Sequence, residues 1–161
     1  LAEKKIGQTG RSKRYPTRSV KIQGGDIPDL AAFRSRMLGE YASLWSEPTC
    51  QYLISCYGSQ IHEIAKLCRE QPALNRVLTN SRDTIAAQVV FAAQSESVVH
   101  LTDVLFRRTD LCLLGDPGDP VLNDCAELAA AALGWSENRR LAELELVRTE
   151  LSPSIPAAPN E

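Results

Sequence analysis

A chain of 161 residues suits one domain and buries roughly two-thirds of the surface its unfolded form exposes, so a core forms without disulfide or metal staples. A net charge of -2, with 43% apolar and 24% charged residues, excludes a strong overall field for nucleic acid or anionic lipid. No apolar run approaches the about 18 residues that a membrane span needs, and the low aromatic content of 6% beside plentiful Ala and Leu favours helices over sheets.

The charge is concentrated at the start. Residues 1–23 carry seven basic side chains against the single acid Glu3, a net +6, and read as a solvated linker or basic arm. The start itself reads as the frayed end of a helix. Val20 and Ile22 alternate with polar residues as in a short strand. Gly24 and Gly25 then allow a sharp turn, because glycine accepts positive φ. The charged first residues hold no secretory signal, and a first residue of Leu rather than Met suggests trimming from a longer chain.

From Asp26 the periodicity becomes helical. Pro28 suits the first turn of a helix whose inner face is Leu30, Phe33, Met37, Tyr41, Leu44 and Trp45. Ser46 and Pro48 open a second helix, with Cys50, Leu53, Ile54 and Tyr57 inward, that stops at Gly58. Ser59 is a cap candidate for the third, which carries Ile61, Ile64, Leu67 and Cys68 and ends at Pro72. After a loop at 79–83, the segment from Thr84 (TIAAQVVFAAQSE) is apolar on nearly every face, the mark of a central buried helix. A break at Val98–His100 precedes Thr102, an N-cap candidate for the next helix. The turn GDPGDP (115–120) follows. Asp119 and Pro120 open a helix that Gly134 closes. Ser136 caps the last one, whose stripe is Leu141, Leu144, Val147 and Leu151. Residues 152–161 are Pro-rich and read as disordered.

The expected fold is all-α: a bundle of six or seven short helices (26–151), an extended N-terminal arm (1–25) and a tail (152–161). Short connections make neighbouring helices mainly antiparallel.

Chemistry-bearing patterns are scarce. No GxGxxG, GxxxxGK[ST] or GxSxG occurs. His62 and His100 are the only histidines and have no Cys or carboxylate at zinc-like spacing, so no metal is expected. The five cysteines (Cys50, Cys56, Cys68, Cys112 and Cys125) form no CxxC and read as reduced thiols of a cytosolic protein. Residues 59–78 superficially suggest a helix-turn-helix, but Pro72 interrupts the second helix and Arg76 is its one basic side chain. One polar cluster stands out: Glu96, Asp103, Arg107, Arg108 and Thr109. Asp103 and Arg107 are spaced for an intrahelical ion pair. Two adjacent arginines beside Val104, Leu105 and Phe106 imply that one guanidinium is partly buried against Glu96, Asp103 or helix-end carbonyls. The cluster reads as a structural network orienting helices or as a docking site for another domain or an anion.

Several short segments occur in a familiar order. DVLFRRT (Asp103–Thr109) resembles the D-x-L-x-R-R-T signature in the C-terminal domain of FAD-dependent glycerol-3-phosphate dehydrogenases and the related alpha-glycerophosphate oxidases. Tyr57, Gly58 and Ser59 resemble that family's YG(S); Ala87–Ala92 with Glu96 resemble its apolar helix ending in Glu; Leu133, Gly134, Trp135 and Ser136 resemble its LGWS. TRSVKIQGG (17–25) is similar to a degraded T-x-x-x-L-P-G-G linker, with Ile22 and Gln23 in place of Leu-Pro. The resemblance spans residues 1–150.

It implies a parent enzyme that oxidises sn-glycerol 3-phosphate to dihydroxyacetone phosphate, passing electrons through FAD to a quinone, or to oxygen in the oxidases. The flavin and substrate sites of such enzymes lie in an N-terminal part, so this fragment carries no catalytic or cofactor-binding residue and holds no cofactor of its own. Its implied role is that of a helical accessory domain, with the missing flavin domain as its partner, homo-oligomer formation open, and neither nucleic acid nor inserted membrane as a partner. The parent is expected on the cytoplasmic face of a bacterial membrane, as a peripheral protein. Separation from the flavin domain implies an exposed patch near Arg107–Arg108 or along residues 1–25. A stand-alone helical protein-interaction module and a nucleic-acid binder using the basic arm are the alternative readings.

Overall fold

The computed structural model describes residues 20–79, 81, 83–113 and 115–152. The expected frayed helix, most of the basic arm and the Pro-rich tail lie outside the described residues. Among these there are seven α-helices, six of them of ten residues or more: α1 (Leu30–Glu40), α2 (Glu47–Tyr57), α3 (Ile61–Glu70), α4 (Ala86–Ser95), the short α5 (Leu101–Asp103), α6 (Asp119–Leu133) and α7 (Glu137–Leu151). Two 3₁₀ turns, Gly58–Gln60 and Pro72–Asn75, and a π-helical turn, Val104–Arg108, join them. No strand occurs among the described residues, and one antiparallel bridge pairs Val77 with Ile85. The all-α class and the number of helices match the sequence reading.

The centre is α4. Its residues Ala86 to Ala93 are all buried, as a helix apolar on every face requires. Its largest contact is with α6, which buries Ala126 and Ala129, and it also meets α3, the 72–75 turn and the π-turn. Small side chains on both partners let the two axes approach closely. The amphipathic helices α1, α2 and α3 cover one side with Met37, Leu53 and Ile64, all fully buried. Each such side chain contributes about 2 kcal/mol on leaving water. On the other side α7 packs on α5 and α6 through Leu144 and Val147. Leu141 of the expected α7 stripe is instead exposed.

Helix ends follow capping chemistry, with some shifts from the sequence reading. Ser46 accepts from Thr49 N–H and Ser136 from Arg139 N–H, each at 3.3 Å, and Gly134 closes α6 in the left-handed region at φ 68°. α1 starts later than expected: Asp29 is its cap, accepting from Ala32 N–H at 3.0 Å, and Pro28 precedes the helix. Ser59 caps nothing, because the chain passes through a 3₁₀ turn into α3. Thr102 is not a cap but buried within α5. At α6 the cap position is Gly118, and Asp119 is the first helical residue.

One other expectation fails. Val20 and Ile22 form no strand and are exposed; among the described residues no neighbouring strand lies alongside to take their hydrogen bonds. As the position of Pro72 argued, no helix-turn-helix forms: after α3 comes the Pro72–Asn75 turn, whose Asn75 amide is held by Trp45 Nε1 at 2.6 Å and Leu44 O at 2.9 Å. Arg76 pairs with Asp124, Nη1 to Oδ2 at 2.5 Å.

Candidate functional site

The segments singled out in the sequence occupy three structural joints and one surface. The first joint is where the chain enters the bundle. Gly25 N–H donates to Ile22 O at 2.9 Å, closing a turn with Gly24 at φ 85°. Gly24 O accepts from Ser59 N–H at 2.9 Å, and a Cβ on Gly24 would lie 2.8 Å from Tyr57 O. Gly58, at φ 53° and ψ -126°, faces it so closely that a Cβ there would overlap Gly24 O. The two glycines therefore require each other. Tyr57 anchors the corner from inside: its ring meets Phe91 edge-on at 5.5 Å, and its hydroxyl accepts from Gln88 Nε2 at 3.3 Å. Gln88 Oε1 in turn accepts Ile85 N–H at 2.9 Å at the start of α4. Burial pushes the Tyr57 phenol pKa upward.

The second joint starts α5. Asp103 Oδ2 accepts from Val99 N–H (3.1 Å) and His100 N–H (2.9 Å), and Arg107 pairs with its other oxygen. Partial desolvation opposes ionisation, but these donors together hold the Asp103 carboxyl below its usual pKa. Glu143, buried within α7, supplies a second acceptor: Leu101 N–H at 2.8 Å, Arg139 Nη2 at 2.7 Å and His100 Nδ1 at 3.0 Å. These two acids take the free N–H groups that Thr102 was expected to serve. Sequence reasoning missed Glu143. The i, i+4 spacing from Arg139 was its one local signal; its partners His100 and Leu101 are 43 and 42 residues away.

The third joint is Gly134–Ser136. Gly134 stops α6, Ser136 starts α7, and the partly buried Trp135 packs against the core with the Arg139 guanidinium 5.7 Å above its ring.

The surface is the π-turn. Thr109 N–H and Oγ1 both donate to Val104 O, at 2.9 and 2.8 Å, which closes the wide turn. Val104 and Leu105 point into the core, while Phe106, Arg107 and Arg108 all face out. The expectation of a partly buried guanidinium is thus overturned: the wide turn puts its apolar demand on 104 and 105 and turns the next three side chains to water. Arg108 is close enough to Glu96 to favour its charged form, but desolvation dominates and pushes the Glu96 carboxyl up. π-turns recur at functional positions in helices.

Phe106, Arg107 and Arg108 form one wall of an open groove of about 270 Å³, with Tyr52 and Cys56 of α2 opposite and Leu113 at its edge. Asp110, which also lines it, accepts from Thr84 Oγ1 at 3.1 Å. Phe106 is 39% and Leu113 79% exposed. The patch expected near Arg107–Arg108 is therefore present and partly apolar, although Tyr52, Cys56 and Leu113 carried no recognisable pattern. Of the five cysteines, Cys50, Cys68, Cys112 and Cys125 are buried free thiols and Cys56 is open to solvent. No helix among the described residues is long and apolar enough to cross a membrane.

Comparison with known proteins bears on all four regions. A family described as the C-terminal domain of alpha-glycerophosphate oxidase matches residues 15–140. A glycerol-3-phosphate dehydrogenase of Synechocystis sp. is 26% identical over 141 residues, covering 86% of this chain and 25% of the relative. Glycerol-3-phosphate dehydrogenase 2 of Mycobacterium bovis is 28% identical over 87 residues, covering 53% of this chain and 15% of that protein. The chain thus spans about a quarter or less of these relatives' length. With most of its residues matched by the family, the chain belongs to the family of the C-terminal domain of alpha-glycerophosphate oxidase.

Proposed function

We propose that this chain is the helical accessory domain of a flavin-dependent glycerol-3-phosphate dehydrogenase, and that it supports the enzyme by packing against the flavin-bearing part rather than by taking part in the chemistry. The parent would oxidise sn-glycerol 3-phosphate to dihydroxyacetone phosphate and pass the electrons through FAD to a quinone. FAD and substrate would be held by the larger remainder of the parent, which would sit on the cytoplasmic face of a membrane. The family match supports this reading, as do the names of the relatives, each of which extends well beyond the matched region.

One structural observation carries the non-catalytic role. The motif residues Tyr57, Gly58, Asp103, Thr109, Gly134 and Trp135 are engaged in core packing, close backbone contact and helix capping. Their positions are accounted for by the architecture of the domain. What the bundle presents outward is a partly apolar, arginine-rimmed groove, a feature of docking faces.

The test is anaerobic addition of glycerol 3-phosphate to the full-length protein while its visible absorption is followed. Bleaching of a flavin band is expected. Removal of residues 26–151 from that protein should weaken flavin retention or stability while the reducing chemistry stays in what remains. Absence of a flavin, or a remainder that binds flavin firmly but has lost reduction altogether, would contradict the proposal.

A further inference from the structure

We infer that the groove between α2 and the π-turn is the seat of the flavin-bearing part of the same polypeptide, and that the segment occupying it presents an apolar side chain beside a carboxylate. This rests on the function proposed above and adds the surface and its chemistry.

Two features of the groove define the occupant. Its rim carries Arg107 and Arg108. Arg107 is already paired with Asp103, while Arg108 is exposed, with Glu96 near it, and Asp110 also lines the groove. The arginine side therefore has charge to offer an incoming acid, and a guanidinium fork favours a carboxylate. The other side is apolar: Phe106 and Leu113 stand exposed while Tyr52 presents its ring from α2. Aromatic and arginine side chains together are the usual anchors of a buried contact.

The path of the chain identifies where the occupant comes from. Gly24 is locked to Tyr57 and Ser59 at the C-terminal end of α2, one residue beyond Cys56 in the groove wall. Whatever precedes Val20 in the polypeptide is therefore tethered at the end of the helix that builds this groove. Attachment through one polypeptide raises the effective concentration of the attached body at surfaces near the anchor, by an amount that falls with linker length. The Synechocystis relative is about four times the matched length, so an attached body is much larger than this bundle. Interdomain faces of such pairs bury on the order of 600–1,500 Å², enough to cover the groove and its flanks.

Cys56 reports on occupancy. It is the solvent-open thiol, although desolvation at the groove pushes its pKa up, and the other four cysteines are buried. In the full-length protein, iodoacetamide labelling of Cys56 is followed by peptide mass spectrometry at alkaline pH. Three variants accompany the wild type: Arg108→Glu, Leu113→Glu, and Leu146→Glu on the exposed side of α7. The expected result is slow labelling in wild type and Leu146→Glu, and a rise of about tenfold or more in Arg108→Glu and Leu113→Glu, because labelling tracks the open population. Cys50, Cys68, Cys112 and Cys125 should stay unlabelled throughout, showing that the bundle remains folded. Leu113 projects into solvent, so its substitution leaves the core intact even if charge reversal at Arg108 does not. Equal rates in wild type, Arg108→Glu and Leu113→Glu would overturn the assignment. Normal flavin bleaching alongside equal rates would remove the groove alone and leave the proposed function standing; lost bleaching would remove that function.

Discussion

Substitution of Gly58 by Ala tests whether the chain's entrance to the bundle is fixed by mutual exclusion of side chains. At φ 53° and ψ -126° the backbone lies where an L residue is strained by about 1–3 kcal/mol. The added Cβ would overlap Gly24 O and touch Ile27 Cδ1 at 3.4 Å. Relief requires Gly24 to move away, which breaks the 2.9 Å bond from Ser59 N–H, a further loss of about 1 kcal/mol. The expected total is about 2–4 kcal/mol, or roughly 5–15 °C in Tm for a domain of this size. Gly134→Ala is the control. Its φ is also positive, at 68°, but nothing lies within 4 Å of its Cβ position, so only the backbone cost of about 1 kcal/mol applies. Thermal unfolding by circular dichroism compares the two, and hydrogen exchange at Ser59 N–H reports the junction itself. If Gly58→Ala loses no more stability than Gly134→Ala, the close approach of Gly24 does not exist in solution.

The second joint predicts that Glu143→Ala destabilises by about 2–4 kcal/mol, because Leu101 N–H and Arg139 lose a buried acceptor; Glu143→Gln should recover part of this in urea unfolding. Asp103 and Glu96 should respond to pH in opposite directions. The Asp103 carboxyl is lowered, so its stabilisation is present above its ordinary pKa and lost as pH falls through the folded value, and the deficit of Asp103→Asn should shrink in acid. The Glu96 carboxyl is raised, so folding favours its protonated form; Glu96→Gln should stabilise the bundle at neutral pH, with the gain fading as pH falls through the raised folded value and gone below the ordinary Glu pKa. The chain by itself should yield one fast thiol to Ellman's reagent, since burial pushes Cys68 and Cys112 to about 11 and Cys125 to about 12. Two or more fast thiols would contradict that burial.

The helices were legible because their signals are local. The all-apolar run of α4, Ser46 and Ser136 as caps, and Gly134 as a stop each act within one or two turns of chain. What escaped the sequence depends on partners far along it. Thr102 has the right chemistry for a cap, but Asp103 and Glu143 fill that role, and Glu143 belongs to α7. Val20 and Ile22 alternate like a strand, but alternation makes a strand only where another lies beside it. A helical period cannot announce a π-turn, so the outward turn of Phe106, Arg107 and Arg108 together was not legible. The structural reasons for the motif segments are three-dimensional and were not legible: a side chain at Gly58 would run into Gly24 O, and Thr109 closes a ring onto Val104 O.

The most direct test of the central claim is the intact mass and visible absorption spectrum of the native gene product, purified from its source. A yellow protein much heavier than the 161-residue chain, bleached by glycerol 3-phosphate, is the predicted result. A colourless product of this size would contradict the account and make the bundle a protein that works alone.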